Sequence, residues 1–365
     1  MHLPVARIPI HPLSQYRRAC PRFTEPKEVA SFSYIGNRTV EMSDRELKYY
    51  YPASLSPRPC LFDSFEKQIK RDHTINEHID GLLAALGHLK DIQQDTSADF
   101  VMYRGMLTRM FITPYSLRDS WSMNAMRVGK TIYIEDNVTD NMIAQRDGSS
   151  AWHQKLMYSG YRFETLSTID KPPSQVLPKD PALEQRANRI VDTHQEYCSV
   201  FKITLGNNSV ISGAEVDCID REKPAEFPNR YYRELKTSGL LDSPRKIETF
   251  ERFKLLKFWA QSFIAGIPTV TVGFRGDDGV LQSVQDFKTL DIPRLVRNKK
   301  RMWEASVCMN FADCLLSSIK QNVVKDGPET QYRVAYDSNS QEISITPIEN
   351  MPSFLTAEYY SKISQ

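Results

Sequence analysis

The chain predicts one mixed α/β (α+β) domain, on three observations. Its middle consists of short runs in which apolar and polar residues alternate, the spacing of strands. Three longer stretches carry apolar residues at helical spacing. The one linker-like stretch, residues 171–181 (KPPSQVLPKDP), lies between GYRFE at 160–164 and the EVD segment at 215–217. Length alone, 365 residues, favours about two domains. If GYRFE and EVD contribute to one site, a boundary at 171–181 would divide it between two domains, so the stretch reads as a surface loop and the chain, 1–365, as a single domain.

In chain order, residues 1–70 are irregular and rich in proline, and are expected to wrap the core as loops and short strands with little chemistry. Residues 76–92 repeat Ile79, Leu82, Leu83, Leu86 and Leu89 on one helical face, with His78 and His88 facing solvent or packing locally. In DFVMYRGMLTRMFITPY a strand ends near Arg104 and Gly105 and a helix follows. WSMNAMR and TIYIED form a hairpin turning at residues 128–130. MYSGYRFETLS reads as a strand, with Tyr161 and Phe163 on one face and Arg162 and Glu164 on the other. VFKITL and SVISGAEVDCID make the clearest hairpin, turning at residues 206–208. Ser243 and Pro244 cap a helix that Gly266 and Pro268 stop. One face of it carries Leu255, Leu256, Trp259 and Phe263, and the other Lys254, Lys257 and Gln261. TVTVGFR is a buried strand ending at Arg275, a further hairpin follows, and a last helix covers residues 302–319.

Composition narrows the function classes. With 41% hydrophobic and 25% charged residues, the chain can bury a large core. The six cysteines include no CxxC pair and no zinc spacing, which fits a reducing compartment. No run has the length and apolarity to span a bilayer, so a cytosolic or nuclear protein with no membrane partner is expected. Net charge is only +2, so any nucleic-acid contact has to come from a local channel. The densest basic run, RLVRNKKR at 294–301, reads as the solvated start of a helix, with a nuclear import signal or an RNA contact as the alternatives.

The chemistry centres on AEVDCIDREKPAEFPNRYYRELKTS. Glu215 and Asp217 are two residues apart, as are Glu234 and Lys236, so each pair is expected on one face of a strand. Two adjacent strands would then gather three carboxylates and an ammonium. Such a cluster needs a cation to stay ionised, and oxygen ligands of this kind suit Mg2+ or Mn2+. Asp217 followed after sixteen residues by Glu-x-Lys has the form of the D…(D/E)xK nuclease pattern. A hairpin displaying charges on a solvated face is the competing reading.

Six short motifs in order, YRG at Arg104, GYRFE, EVD, ELK, FKLLKFWAQ and GFR, span about residues 101–275 and resemble the set of the decapping exonuclease (DXO) family of RNA 5′-end enzymes. The resemblance implies two mixed β-sheets with flanking helices and a pocket between them. It implies that Glu164, Glu215, Asp217, Glu234 and the carbonyl of Leu235 hold metal, two Mg2+ or Mn2+ ions about 4 Å apart. Lys236 and Gln261 would position the attacking water. Arg104, Lys257 and Arg275 are candidates for holding 5′ phosphates, with structural ion pairing as the alternative. The substrates implied are RNA 5′ ends bearing a triphosphate, an unmethylated cap or an NAD cap. Similarity is greatest to the fungal nuclear branch, which implies a nuclear location and a nuclear 5′-3′ exoribonuclease as partner. A D…(D/E)xK DNA endonuclease and a catalytically idle scaffold that only activates a partner nuclease remain the alternatives.

Overall fold

The computed structural model describes residues 3–177 and 179–364, so Pro178 of the proline-rich stretch lies outside the described residues. The strands are β1 (Ala6–Pro9), β2 (Lys27–Ile35), β3 (Thr39–Glu41), β4 (Tyr49–Tyr50), β5 (Phe100–Tyr103), β6 (Trp121–Val128), β7 (Thr131–Asp136), β8 (Thr168–Ile169), β9 (Glu196–Leu205), β10 (Asn208–Glu215), β11 (Cys218–Ile219), β12 (Tyr232–Gly239), β13 (Thr269–Arg275), β14 (Leu281–Lys288), β15 (Thr330–Asp337) and β16 (Glu342–Glu349). The α-helices are α1 (Asp80–Asp91), α2 (Arg104–Ile112), α3 (Asp140–Asp147), α4 (Ala151–Leu166), α5 (Pro181–Asn188), α6 (Pro244–Thr249), α7 (Leu255–Ala265), α8 (Ile292–Val296), α9 (Ala305–Asn322) and α10 (Ala357–Ile363).

Two mixed sheets result, as expected. The larger has ten strands in the order β1-β16-β15-β6-β7-β5-β10-β9-β2-β3, and the smaller six in the order β14-β13-β12-β11-β4-β8. In the larger sheet β5 runs parallel to both β7 and β10, and in the smaller β12 runs parallel to β13. The main core packs Phe111 of α2, Trp259 of α7 and Phe311 of α9 with Phe100, Val210 and Val270 from both sheets. These side chains fix the sheets relative to one another, since the buried aromatic area they supply dominates the local packing energy.

Several predicted elements form where the pattern put them: the β5 to α2 junction at Arg104, the β6–β7 hairpin, the β9–β10 hairpin and the wholly buried β13. Ser243 caps α6 by accepting the Lys246 N–H, and Gly266 ends α7 in the left-handed region at φ 70°. Between α6 and α7 the helix widens into a π-turn, Phe250–Lys254.

Other expectations are corrected. GYRFE is helical, lying in α4, whose start Ser150 caps by accepting the His153 N–H. The buried positions Tyr158, Ser159, Arg162, Phe163 and Leu166 show a helical face, and the five residues of GYRFE are too few to separate periods of 2 and 3.6. The first seventy residues contain β2, a nine-residue strand paired with β9, so they are part of the sheet as well as a wrap. The first helix starts at Asp80, and His78 is held by Glu135, with Nδ1 2.6 Å from Oε2. The last predicted helix starts at Ala305. Residues 171–181 include a 3-10 turn, Pro173–Gln175, and end at Pro181, the first residue of α5.

Candidate active site

Glu215 and Asp217 do not share a strand face. β10 ends at Glu215 in the larger sheet, and Cys218 begins β11 in the smaller, so residues 216 and 217 carry the chain from one sheet to the other. β10 and β12 are likewise not neighbours, since β12 pairs with β11 and β13. The cluster forms across the gap between sheets instead. Val216 N–H donates to the Tyr197 carbonyl at 3.0 Å, which anchors the crossing to the larger sheet. Leu235 N–H donates to Asp217 Oδ2 at 2.5 Å, which anchors it to the smaller. The β11–β12 ladder pairs only Cys218 with Arg233 and Ile219 with Tyr232, so Leu235 has no ladder partner on that edge. A strand residue projects N–H and C=O to the same side, and the Leu235 carbonyl therefore faces the same gap as Asp217.

Glu234 is the best-held acid. It is 1% exposed, with Oε2 3.0 Å from Arg104 Nη1 and Oε1 2.6 Å from Lys236 Nζ. Burial alone would raise its pKa, but the charges of Arg104 and Lys236 bring it down to about 2. The other three acids move the opposite way. Burial, reinforced by Asp217 and Glu215, pushes Glu164 well above the usual carboxylate range. Burial is also the main cause for Asp217, opposed by Lys236 and reinforced by Glu234 and Glu215, and its pKa reaches about 7. Glu215 is also pushed up to about 7, by burial and then by Glu196. Glu215 keeps solvent-accessible surface, because it sits where two recesses of about 410 and 400 Å3 meet. Protein surrounding those recesses still leaves the carboxylate partly desolvated. Lys236 is held in its charged form: burial works against this, but Glu234 and Asp217 outweigh it.

Two buried acceptors at this end of the molecule lack a well-aligned hydrogen bond. Glu234 Oε1 faces Lys236 at ion-pair distance but without hydrogen-bond alignment, and Gln261 Oε1 has no partner. Among the described residues, no group of three or more acidic, imidazole or thiol side chains stands arranged to hold a metal ion. Arg104 and Lys236 fold onto Glu234 instead. The donor chemistry nevertheless fits a hard divalent cation, with four carboxylates that bear on one another's charge, a backbone carbonyl on the same gap and the buried Glu234 Oε1 without a well-aligned hydrogen to accept.

The remaining predicted residues are placed unequally. Arg104 is a buried ion-pair partner of Glu234, so the structural alternative describes it. Lys257 is near enough to Lys236 and Arg109 that their charges add to burial in lowering its pKa. No hydrogen bond links Gln261 to the carboxylates among the described residues. Arg275 pairs with Gly239, five residues along β12 from Glu234, and donates to Ser159 Oγ at 3.3 Å, so it lies at the far end of the site. Lys254 spans the interval, donating to Ser238 Oγ at 3.1 Å, and it feels the charge of Arg275. Sequence reasoning placed Lys254 on the right stripe but gave it no role. Glu196, which lines both recesses and raises Glu215, carried no spacing signal; Arg38 holds it at 2.6 Å.

Comparison with known proteins places this geometry in a family. The family profile described as RAI1 like PD-(D/E)XK nuclease matches residues 24–360. Decapping nuclease RAI1 of Neurospora crassa is 34% identical over 357 residues, covering 95% of this chain and 84% of that protein. Decapping and exoribonuclease protein of Homo sapiens is 33% identical over 371 residues, covering 99% and 91%. Among solved structures, S. pombe Rai1 in complex with 3′-FADP is 27% identical with a TM-score of 0.74, covering 94% of this chain and 99% of that one. Candida albicans Rai1 in complex with pU5-Mn2+ shares the fold at a TM-score of 0.88 and 22% identity, with 100% of both chains covered. A profile match over nearly the whole chain, together with relatives at this identity and coverage, establishes that the chain belongs to the RAI1-like PD-(D/E)XK nuclease family.

Proposed function

We propose that this protein is a divalent-metal-dependent hydrolase of RNA 5′ ends. It releases pyrophosphate from 5′-triphosphate RNA and removes incompletely methylated and NAD-type caps. The observation that carries this reading is the meeting of Asp217 and Glu234 at the crossing between the two sheets, with Leu235 N–H on Asp217, Arg104 and Lys236 on Glu234, and Glu215 and Glu164 near enough to bear on their charge. The names of the relatives, decapping nuclease and decapping and exoribonuclease protein, support the substrate class.

In this reading the four carboxylates and the Leu235 carbonyl hold Mg2+ or Mn2+. The bound cation supplies charge neutralisation and lowers the pKa of a coordinated water. The chain's own groups do the rest. Lys236, kept charged by Glu234 and Asp217, holds a water or a phosphate oxygen by a charge-assisted hydrogen bond. Gln261 offers a buried amide oxygen with no internal partner to orient a water proton. Lys257, Lys254 and Arg275 line the way outward and suit the outer phosphates. The walls that raise Glu164 and Asp217 also limit competing water.

Incubation with triphosphorylated RNA, monophosphorylated RNA and duplex DNA, with and without Mg2+ or Mn2+, tests the reading. Metal-dependent pyrophosphate release from the first substrate is expected. Cleavage confined to duplex DNA would assign the site to a DNA endonuclease, and inertness toward all three would make the protein a scaffold. A monophosphate product is the end that a processive 5′-3′ nuclease requires. We therefore also propose a nuclear location and binding to the nuclear 5′-3′ exoribonuclease, testable by calorimetry with the purified partner.

A further inference from the structure

The basic run is a built surface. Residues 294–301 hold five cations and no acid. The run leaves α8 and turns through left-handed Asn298 (φ 65°) and Arg301 (φ 61°), so it is not the solvated first turn of α9. Lys299 Nζ lies 2.6 Å from Glu251 Oε1 in the π-turn, and Trp303 Nε1 donates to the Glu251 carbonyl at 2.9 Å while its ring stacks on Trp259. Arg297, Lys300 and Arg301 are exposed, and among the described residues they have no acidic partner. In the same π-turn, two residues after Glu251, Phe253 is 47% exposed, with the Arg252 guanidinium 5.0 Å from its ring centre. A groove of about 550 Å3 runs between α6 with Glu251 on one side and residues 299–302 on the other.

We infer that this surface binds the single-stranded body of an RNA whose 5′ end lies in the candidate active site; the inference rests on the RNA 5′-end reading above. Charge selects a polyanion, since three unpaired cations are concentrated here on a chain of net charge only +2. The exposed Phe253 with Arg252 over it selects bases, which stack on aromatic and guanidinium faces whatever their sequence. Continuity with the site comes from the π-turn. Phe253 faces outward, while the next residue, Lys254, reaches Ser238 on β12, two residues from Lys236. The same five-residue π-turn thus carries the contact to β12 through Lys254, the exposed Phe253 and the Glu251 anchor of the 297–301 loop. An acidic protein segment would satisfy the charge but gives no use for the stacked Phe253–Arg252 pair.

The test uses the full chain, Phe253→Ala and the triple variant Arg297→Ala/Lys300→Ala/Arg301→Ala, all at exposed side chains. Anisotropy with a labelled 24-nucleotide single-stranded RNA should show about tenfold weaker binding for the triple variant and a lesser loss for Phe253→Ala. The log–log salt slope of the triple variant should fall by about 2, since each phosphate that a cation neutralises on a single strand adds about 0.7 to it. KM for hydrolysis of a triphosphorylated 6-nucleotide RNA should be unchanged in both variants. Equal losses on the 6-mer, or unaltered binding of the 24-mer, would overturn the inference. Unaltered 24-mer binding with lost binding of a polyglutamate peptide would reassign the surface to an acidic protein. Wild-type binding of the 24-mer without hydrolysis of the 6-mer would refute the 5′-end reading and leave the RNA surface standing.

Discussion

Arg104 and Glu234 form a buried ion pair that joins the two sheets, Nη1 to Oε2 at 3.0 Å. Arg104 is the first residue of α2, immediately after β5 of the larger sheet, and Glu234 lies in β12 of the smaller. Arg104→Ala would leave Glu234 buried with Lys236 as its remaining cation. Breaking a buried pair from one side costs about 3 kcal/mol, and urea denaturation of the variant should show a loss of that order. A loss under about 0.5 kcal/mol, the range of an exposed pair, would show that the two sheets are held together without it.

The acids in the gap set a pH dependence. Asp217 and Glu215 titrate near 7 in the folded protein, against roughly 4 in an unfolded chain. The folded state thus keeps protons that the unfolded state releases between those values, and its stability falls as pH rises through that window. Their contribution is complete below about pH 4 and lost above about pH 7. Glu234, at about 2, stays ionised throughout the window and adds no slope there. In chelator, Tm should fall between pH 5 and pH 7.5, and Asp217→Asn should flatten that fall. A rising Tm in wild type would mean that the acids are already compensated.

Substituting single acids should separate chemistry from folding. Glu164→Ala and Asp217→Ala should each reduce pyrophosphate release by at least about a hundredfold, the scale of losing one essential charged group. In chelator their stability should be unchanged or higher, because each removes a buried carboxyl whose ionisation its acidic neighbours oppose. A large stability loss in Asp217→Ala would instead assign it the structural task of holding Leu235 N–H.

Gly273 links packing to the position of Glu164. A Cβ there would come within 2.7 Å of the Phe163 ring and 3.0 Å of Leu281. Gly273→Val should push α4 away from β13 at a cost of about 1–3 kcal/mol, and should lower activity beyond what that loss predicts, since Glu164 follows Phe163 directly. Full activity in a destabilised variant would show that Glu164 is placed independently of this packing.

Much of this was legible in the sequence, and the failures share a cause. Glu234 and Lys236 share a strand as their spacing requires, and the capped helix from Ser243 and the β9–β10 hairpin form because local signals suffice there. Glu215-x-Asp217 has strand spacing, but the strand breaks between the two residues because the chain changes sheets, a tertiary event with no local signature. GYRFE alternates over five residues only by chance, since its buried face is helical. Arg104 satisfied a motif, yet its partner Glu234 lies 130 residues away, and no spacing rule reaches that far.

Calorimetric titration of Mn2+ into metal-free protein at pH 6.5 decides whether the four carboxylates make a divalent-cation site. Wild type should bind Mn2+ and release protons, because acids titrating near 7 must lose them on binding. The Glu164→Gln/Asp217→Asn variant should bind at least about a hundredfold more weakly, a loss of roughly 2.7 kcal/mol. Equal Mn2+ affinity in the wild type and the double variant, with no proton release, would contradict the account.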